Sequence, residues 1–224
     1  MNSNMKLVYC YDAYCGWCYG FSEVMKKVAE AFRHHIAIEV LSGGMIITES
    51  PRHISATAEY IKSAYSRVEQ LSGIKFGEDY LWHINNPDKS DWFPNSEKPA
   101  IALCIFKEIY EDRQVEFAAD LQYALHYEGR DLTDDEAYRH LLEKYKVNSG
   151  EFYQKLRSDE YRQKAYYEFA LIKQLNITGF PCLLLQTSES KFYLIARGYT
   201  NYDAVTTTIE NVLKEVAKTT GTVE

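Results

Sequence analysis

Two short apolar segments near the start of the chain flank a segment with helical periodicity. Lys6 to Tyr11 and Ile36 to Leu41 are continuous apolar and β-branched runs, which favour buried strands. Between them, one helix face carries Phe21, Val24, Val28, Ala31 and Phe32. This pattern predicts a strand–helix–strand unit with the length of a right-handed crossover, and Gly43 and Gly44 close the second strand.

The middle of the chain, from Pro51 to about Tyr145, has helical periodicity instead of strand patterns. Two helix faces are formed by Ile54, Ala58, Ile61 and Tyr65 and by Phe117, Leu121 and Leu125. Pro99 occupies a first-turn position of another helix, and Thr133 with Glu136 matches a capping box. The segment from Asp79 to Lys98 lacks this periodicity and is interpreted as a long irregular loop.

Strand patterns return in the last part of the chain. One helix face there carries Tyr161, Ala165, Phe169 and Ile172. Apolar runs at 182–185 and 192–196 then predict two strands, and Asn201 caps a final helix. The buried stripe of that helix is formed by Val205, Ile209, Val212 and Val216. The pattern predicts an α/β module of residues 1–48 and 158–224, with an all-helical insertion at residues 49–157.

Composition narrows the class of protein. The 224 residues are 46% hydrophobic and 25% charged, which is typical of one large globular domain or a domain with an insertion. The net charge of −7 argues against a nucleic-acid partner. No apolar run approaches the roughly 20 residues of a membrane span, and the N-terminal residues lack a secretion signal. We therefore expect a cytoplasmic protein with no membrane partner.

The most informative motif is Cys15-Gly16-Trp17-Cys18, at the junction of the first predicted strand and helix. A helix N-terminus carries partial positive charge and free N–H groups that stabilise a thiolate, so Cys15 is the candidate nucleophile. Cys18 lies about one turn further on the same face, where it can attack a mixed disulfide formed at Cys15. The motif therefore predicts thiol–disulfide exchange.

Three further residues are candidate parts of the same site. Phe180-Pro181 begins a predicted strand, where a cis peptide can present backbone groups to an extended substrate. Cys182 follows directly and is either a third active-site thiol or a core residue, since side chains alternate along a strand. Asp12 precedes the motif as a turn residue or as a proton acceptor for Cys18.

The remaining cysteines and the histidines give no competing site. Cys10 and Cys104 lie in apolar segments and are interpreted as buried, inert thiols. The CxxC has no second CxxC or spaced histidine pair to complete a four-ligand zinc site, and the six histidines have no catalytic spacing. We expect neither a metal nor another cofactor.

Two segments of the chain resemble a known family. YDAYCGWCYGF and the distant ITGFPCLLL are similar to the thioredoxin fold, and the helical insertion between them resembles the DsbA-like branch. Within that branch, Asp12 before the motif and Tyr19 after it resemble the FrnE-type group of disulfide isomerases. The resemblance implies a thioredoxin-like fold with an inserted helical subdomain. It also implies a redox pair of Cys15 and Cys18, with Pro181 as the cis-proline.

One departure from this family concerns the residues between the cysteines. Gly16 and Trp17 stand where the periplasmic oxidases carry Pro-His, so no imidazole stabilises the thiolate and we expect a weaker oxidant. The expected partners are protein or small-molecule disulfides and thiols, with the glutathione or thioredoxin system for recycling. Trp17, Phe180 and Trp92 are the candidate substrate-binding residues.

Two other functions stay open. Kappa-class glutathione transferases and hydroxychromene-carboxylate isomerases resemble the chain in architecture but typically carry a serine in place of Cys15. A non-catalytic binding module would use an exposed apolar surface of Trp17, Trp82, Trp92 and Phe93. The last three residues lie in the predicted loop and either line a groove over Cys15 or pack in the core.

Overall fold

Four strands form one mixed sheet in the computed structural model, which describes residues 5–220 and the side chains of residues 5–218. In chain order they are β1 (Lys6–Tyr11), β2 (Ala37–Ser42), β3 (Cys182–Ser188) and β4 (Lys191–Arg197). Their order across the sheet is β2-β1-β3-β4. The β1–β2 pair is parallel, and the β1–β3 and β3–β4 pairs are antiparallel. The α/β class predicted from the sequence is confirmed.

Nine α-helices accompany the sheet in the described part of the chain. They are α1 (Gly16–Phe32), α2 (Ser55–Ser72), α3 (Glu78–Asn85), α4 (Glu97–Ile109), α5 (Gln114–His126), α6 (Arg139–Tyr145), α7 (Ser149–Leu156), α8 (Asp159–Gln174) and α9 (Tyr202–Thr220). Short 3-10 helices span Pro87–Lys89, Glu111–Arg113 and Asp135–Tyr138. None of the helices in residues 5–220 combines the length and the apolar character of a membrane span.

Helices α2 to α8 all lie between β2 and β3 in the chain. The segment that connects these two strands contains helices and no strand, as the periodicity predicts. Pro99 lies in the first turn of α4. Asn201 precedes α9 and accepts a hydrogen bond from the Ala204 N–H at 2.9 Å, which confirms the predicted cap. The division of the chain at residues 48/49 and 157/158 stays a prediction.

The expectation of an irregular loop from Asp79 to Lys98 is wrong over much of its length. Helix α3 and the 3-10 helix Pro87–Lys89 occupy a large part of this segment. Helix α3 has only eight residues, and its buried side chains are Tyr80 and Ile84. Two buried positions are too few to establish a helical period, so the sequence pattern does not reveal this helix.

The capping box expected at Thr133 and Glu136 is also absent. Asp134 caps the 3-10 helix and accepts a hydrogen bond from the Glu136 N–H at 3.1 Å. The Thr133 hydroxyl instead donates to Asp131 at 2.8 Å. Asp131 and Asp134 compete with Thr133 as local hydrogen-bond acceptors, and the carboxylates provide the turn and the cap.

The side chains of β1 alternate between two apolar layers. Leu7, Tyr9 and Tyr11 belong to the main core, which also includes buried side chains of α1, α4, α5 and α9. Val8 and Cys10 face a smaller cluster on the other side of the sheet, completed by Leu41, Ile172, Cys182 and Leu184. The N-terminus of α1 lies on the side of the main core.

A buried histidine lies between α1 and α5. The ring of His126 stacks on Tyr19 with 5.0 Å between centroids and 8° between planes. It also contacts the rings of Phe76 and Tyr80. Its Nδ1 donates to the Gln122 carbonyl oxygen at 3.0 Å. Burial lowers the pKa of His126 to about 4, so the ring is neutral at neutral pH.

We expect the protein to lose stability as the pH falls from about 6.5 to about 4, because only the unfolded state then binds a proton at His126. The histidine pKa is 6.5 without burial and about 4 in the fold, so this stabilisation is fully present above pH 6.5. Its loss corresponds to about 3 kcal/mol between neutral pH and pH 4. Urea unfolding across this range should show a shallower pH dependence for His126→Phe than for the wild type. Equal slopes would contradict the expectation.

Candidate active site at the start of the first helix

Cys15 is the N-cap residue of α1. Its backbone is extended, with φ −83° and ψ 107°, and its Sγ accepts a hydrogen bond from the Cys18 N–H at 3.2 Å. The Cys15 N–H donates to the Asp12 carbonyl oxygen at 3.1 Å, which closes the turn between β1 and α1. The sulfur therefore lies at the positive end of the helix dipole, where an anionic sulfur is stabilised.

The two cysteines of the motif differ in environment. Cys18 is fully buried, whereas Cys15 is 6% exposed and lines a cavity. Burial, together with the neighbouring Cys15 sulfur, raises the pKa of Cys18 well above the usual thiol value. Both cysteines are free. The pair therefore consists of one thiol that a substrate can reach and one that is protonated and internal.

The loop before β3 brings Phe180 and Pro181 to the first cysteine. The Cys15 thiol donates to the Phe180 carbonyl oxygen at 3.6 Å. The peptide bond between Phe180 and Pro181 is cis. The Phe180 ring packs over Gly43, where an added Cβ would lie 2.1 Å from the ring carbon Cζ. A glycine at position 43 thus allows this close contact between the end of β2 and the proline loop.

Asp12 is a buried carboxylate that connects three segments around the motif. Its Oδ1 accepts hydrogen bonds from the Tyr14 N–H at 3.0 Å and from the Ser96 hydroxyl at 2.9 Å. Its Oδ2 accepts from the Met45 N–H at 2.7 Å. Burial raises the pKa of Asp12 despite these hydrogen bonds. The hydrogen bond from the Tyr14 N–H fits the expected role of Asp12 as a turn residue. The alternative role of Asp12, as a proton acceptor for Cys18, stays a prediction.

A cavity of about 380 Å³ opens beside Cys15. The candidate substrate-binding residues Trp17, Trp92 and Phe180 all line it, so the structure brings them together with the candidate nucleophile. The other walls come from α2, from the segment after β2 and from the aromatic side chains Phe76 and Tyr80. Sites of this size bind small ligands or a few side chains of a larger partner.

A family model of the DSBA-like thioredoxin domain matches residues 6–210. The chain belongs to the DsbA-like thioredoxin family. Family membership supports thiol–disulfide exchange as the general chemistry of this DsbA-like protein. A comparison with curated protein sequences found no match.

Solved structures share the DsbA-like fold at low sequence identity. A candidate protein disulfide isomerase from Nitrosomonas europaea is 22% identical with a TM-score of 0.82, over 94% of this chain and 98% of that chain. The cytosolic disulfide reductase DsbM from Pseudomonas aeruginosa is 22% identical with a TM-score of 0.73, over 93% of this chain and 98% of the DsbM chain. A second DsbM structure, with GSH, is 22% identical with a TM-score of 0.72, over 93% of this chain and 99% of the DsbM chain. These similarities confirm the thioredoxin-like fold with inserted helices.

A 2-hydroxychromene-2-carboxylate isomerase also shares the fold. It is 13% identical with a TM-score of 0.64, over 98% of this chain and 99% of that chain. The inserted helices are therefore common to proteins with different chemistry, so the fold alone does not determine which reaction the DsbA-like protein catalyses.

Two aromatic residues expected near the groove lie elsewhere in the DsbA-like protein. Trp82 is 45% exposed and Phe93 is 48% exposed, and neither lines the cavity. Phe93 instead packs edge-on against His53. Trp92 is buried, so the exposed surface of four aromatic residues suggested for a binding module is not formed.

Cys182 does not lie with the redox pair. It faces the smaller apolar cluster across the sheet from Cys15, directly opposite Cys10 on the neighbouring strand. The structure therefore places the Cys182 side chain in the core and does not bring it to the redox pair. Burial raises the pKa of Cys182 and, together with nearby negative charge, that of Cys10 and Cys104. Among the described residues, no group of three or more metal-ligating side chains is placed to hold an ion.

Several residues that line the cavity are not among the site residues expected from the sequence. Helix α2 contributes Thr57, Ile61 and Ala64, and the segment after it contributes Phe76. The apolar stripe of α2 is visible in the sequence, but periodicity alone does not distinguish a stripe that packs in the core from one that lines a cavity.

We expect limited alkylation of the reduced protein to label Cys15 before the other cysteines. Burial raises the pKa of Cys10, Cys18, Cys104 and Cys182, so few of these four thiols are ionised. Brief treatment with iodoacetamide, followed by peptide mass spectrometry, measures the order. Earlier labelling of Cys18 or Cys104 would show that the assignment of the nucleophile is wrong.

Proposed function

We propose that the protein catalyses thiol–disulfide exchange with Cys15 as the nucleophile and Cys18 as the resolving thiol. The observation that carries this proposal is the position of the Cys15 sulfur. It accepts the Cys18 N–H at the N-terminus of α1 and lines the cavity, while Cys18 is buried behind it. This arrangement supports attack by the first thiol and retention of the second.

The reaction proceeds in two displacements. The Cys15 thiolate attacks one sulfur of the substrate disulfide, whose S–S bond breaks as a mixed disulfide forms and one substrate thiolate leaves. Cys18 then loses its proton and attacks the Cys15 sulfur, which releases the second substrate thiolate and closes the Cys15–Cys18 disulfide. With the proton that Cys15 released on ionisation and the proton that Cys18 releases, two electrons and two protons pass from the protein to the two substrate thiols. A thiol reductant restores the pair.

The proline loop is proposed to position the substrate. The Phe180 carbonyl oxygen lies within 3.6 Å of the Cys15 sulfur, so a substrate chain attached to that sulfur passes close to this backbone. We propose that the Phe180 backbone pairs with the substrate chain beside Pro181. Trp17 and Trp92 contact its side chains from the cavity wall.

The protein is proposed to act as a reductase or isomerase and not as a strong oxidant. Gly16 and Trp17 supply no imidazole beside the Cys15 sulfur, which supports a less oxidising pair than one with Pro-His. The cytosolic location and the bound GSH named for DsbM support a cytoplasmic protein that is recycled by glutathione. The 2-hydroxychromene-2-carboxylate isomerase, which shares the fold, is compatible with the alternative function of a hydroxychromene-carboxylate isomerase-like enzyme.

Equilibration with glutathione buffers tests the proposed function. We expect a single disulfide between Cys15 and Cys18, with a potential closer to the about −270 mV of thioredoxin than to the about −120 mV of DsbA. Alkylation of the remaining thiols and mass spectrometry measure the oxidised fraction at each buffer ratio. Failure to form the Cys15–Cys18 disulfide at any ratio would overturn the proposed redox pair. A potential near the DsbA value would overturn the proposed direction alone.

A further inference from the structure

The inserted helices contact the backbone of the turn that carries Cys15. The Asp12 carbonyl oxygen, which closes this turn by accepting the Cys15 N–H at 3.1 Å, also accepts a hydrogen bond from Gln122 Nε2 at 3.2 Å. Gln122 belongs to α5 and is 110 residues away from Asp12 in the chain. The segment between β2 and β3 therefore reaches the redox motif through one amide group, which shares a carbonyl oxygen with the N–H of the nucleophile.

The packing of α5 on α1 fixes the position of Gln122. The side chain is 1% exposed. One turn further along α5, the ring of His126 stacks on Tyr19 of α1 with 5.0 Å between centroids. His126 Nδ1 also donates to the Gln122 carbonyl oxygen at 3.0 Å. These contacts hold this part of α5 against α1, so they keep the Gln122 amide beside the turn.

The other end of the Gln122 amide makes no hydrogen bond. Its Oε1 is buried and has no partner among the described residues. A buried amide oxygen without a partner lowers the stability of a fold, so an apolar side chain of similar length would suit this position at least as well. Stability alone does not explain a glutamine here, and its donor group, which contacts the turn, is the part that calls for a function.

We infer that Gln122 is a positioning residue for thiol–disulfide exchange, and that it favours the thiolate of Cys15 through the Asp12 carbonyl oxygen. The inference rests on the proposed function, because it concerns the nucleophile of that reaction. The Gln122 N–H brings the positive end of a dipole to a carbonyl oxygen whose partial negative charge opposes a thiolate nearby. Its hydrogen bond also restrains the turn in which the Cys15 sulfur accepts the Cys18 N–H. Both effects stabilise the anionic sulfur.

Gln122→Met tests the inference, because methionine has a similar length and no N–H group in its side chain. The reduced protein is treated with iodoacetamide across a range of pH, and peptide mass spectrometry measures the rate of labelling at Cys15. We expect the midpoint of this pH profile to rise, so that labelling below the midpoint slows by about three- to tenfold. The oxidised fraction of the Cys15–Cys18 pair at a fixed glutathione ratio should also rise, because a less stable thiolate favours the disulfide.

Gln114→Met is the matched control on the same helix. Gln114 is also buried, but its Oε1 accepts the Val40 N–H at 2.7 Å and its Nε2 donates to the Glu111 carbonyl oxygen at 2.8 Å. The substitution deprives the buried Val40 N–H of this partner, so the melting temperature should fall. Because neither contact involves the turn before α1, the pH profile of Cys15 should stay that of the wild type.

The outcomes distinguish the inference from the proposed function. Gln122→Leu also lacks the donor and should show the same shift as Gln122→Met, and circular dichroism establishes that each variant is folded. A wild-type profile in the Gln122 variants, or an equal shift in Gln114→Met, would overturn the inference and leave exchange at Cys15 intact. Failure of both Gln122 variants to fold would assign this residue to stability and also overturn it. Absence of exchange in the wild type would overturn the proposed function itself.

Discussion

Replacing Cys15 with serine should reduce thiol–disulfide exchange to the uncatalysed rate. A serine hydroxyl is not ionised near neutral pH, so it does not attack a disulfide as a thiolate does. Replacing Cys18 with serine should leave the attack intact and remove the resolving thiol, so mixed disulfides accumulate at Cys15. Turnover of a peptide disulfide and mass spectrometry of the unreduced protein measure the two effects.

Cys104→Ser is the matched control for these variants. Cys104 is buried in α4, and its sulfur lies 3.5 Å from a carboxylate oxygen of Glu168, away from the cavity. We expect this variant to keep the exchange rate of the wild type. Mixed disulfides trapped at another cysteine in Cys18→Ser, or residual turnover in Cys15→Ser, would contradict the assigned roles.

Replacing Trp92 with alanine should destabilise the protein by about 3–5 kcal/mol, the range for truncating a buried aromatic side chain. The Trp92 ring stacks on His83 with 3.9 Å between centroids and packs against Tyr80 at 6.1 Å. Truncation removes both contacts and leaves a void between α3 and the cavity. Thermal unfolding should show a Tm lower by roughly 10 °C or more.

The neighbouring residue provides the control for Trp92. Phe93 is 48% exposed and packs edge-on against His53, so Phe93→Ala should change stability by less than about 1 kcal/mol. Because Phe93 does not line the cavity, the rate of exchange should also stay unchanged. A larger loss of stability in Phe93→Ala than in Trp92→Ala would show that the assignment of the core residue is wrong.

The strands and the first helix were predictable because their signals are local. The apolar run from Lys6 to Tyr11 coincides with β1, and the helical stripe of Phe21 and Val24 lies on the buried face of α1. The junction between them contains Cys15, so its position at a helix N-terminus follows from the order of the elements. The approach of Phe180 to Cys15 is different, because the two are 165 residues apart and no spacing rule relates them.

The features that were not predictable depend on pairing and on packing. Alternation along β3 allowed Cys182 to face either side of the sheet, and only its pairing with Cys10 decides which. Trp82 and Trp92 lie in the same short segment and both contact the ring of His83, yet Trp82 is exposed and Trp92 is buried. Helix α3 has too few turns for a visible period.

The contact between Gly43 and the Phe180 ring makes these two positions energetically interdependent. A side chain at position 43 needs the space that the ring occupies, since its Cβ would lie 2.1 Å from Cζ. Substitutions at the two sites are therefore not additive: Gly43→Ala should be tolerated far better beside Phe180→Ala than beside the native ring. In proteins of this kind, a larger residue at the end of β2 then requires a smaller residue before the proline, so the two sites should change together over evolution.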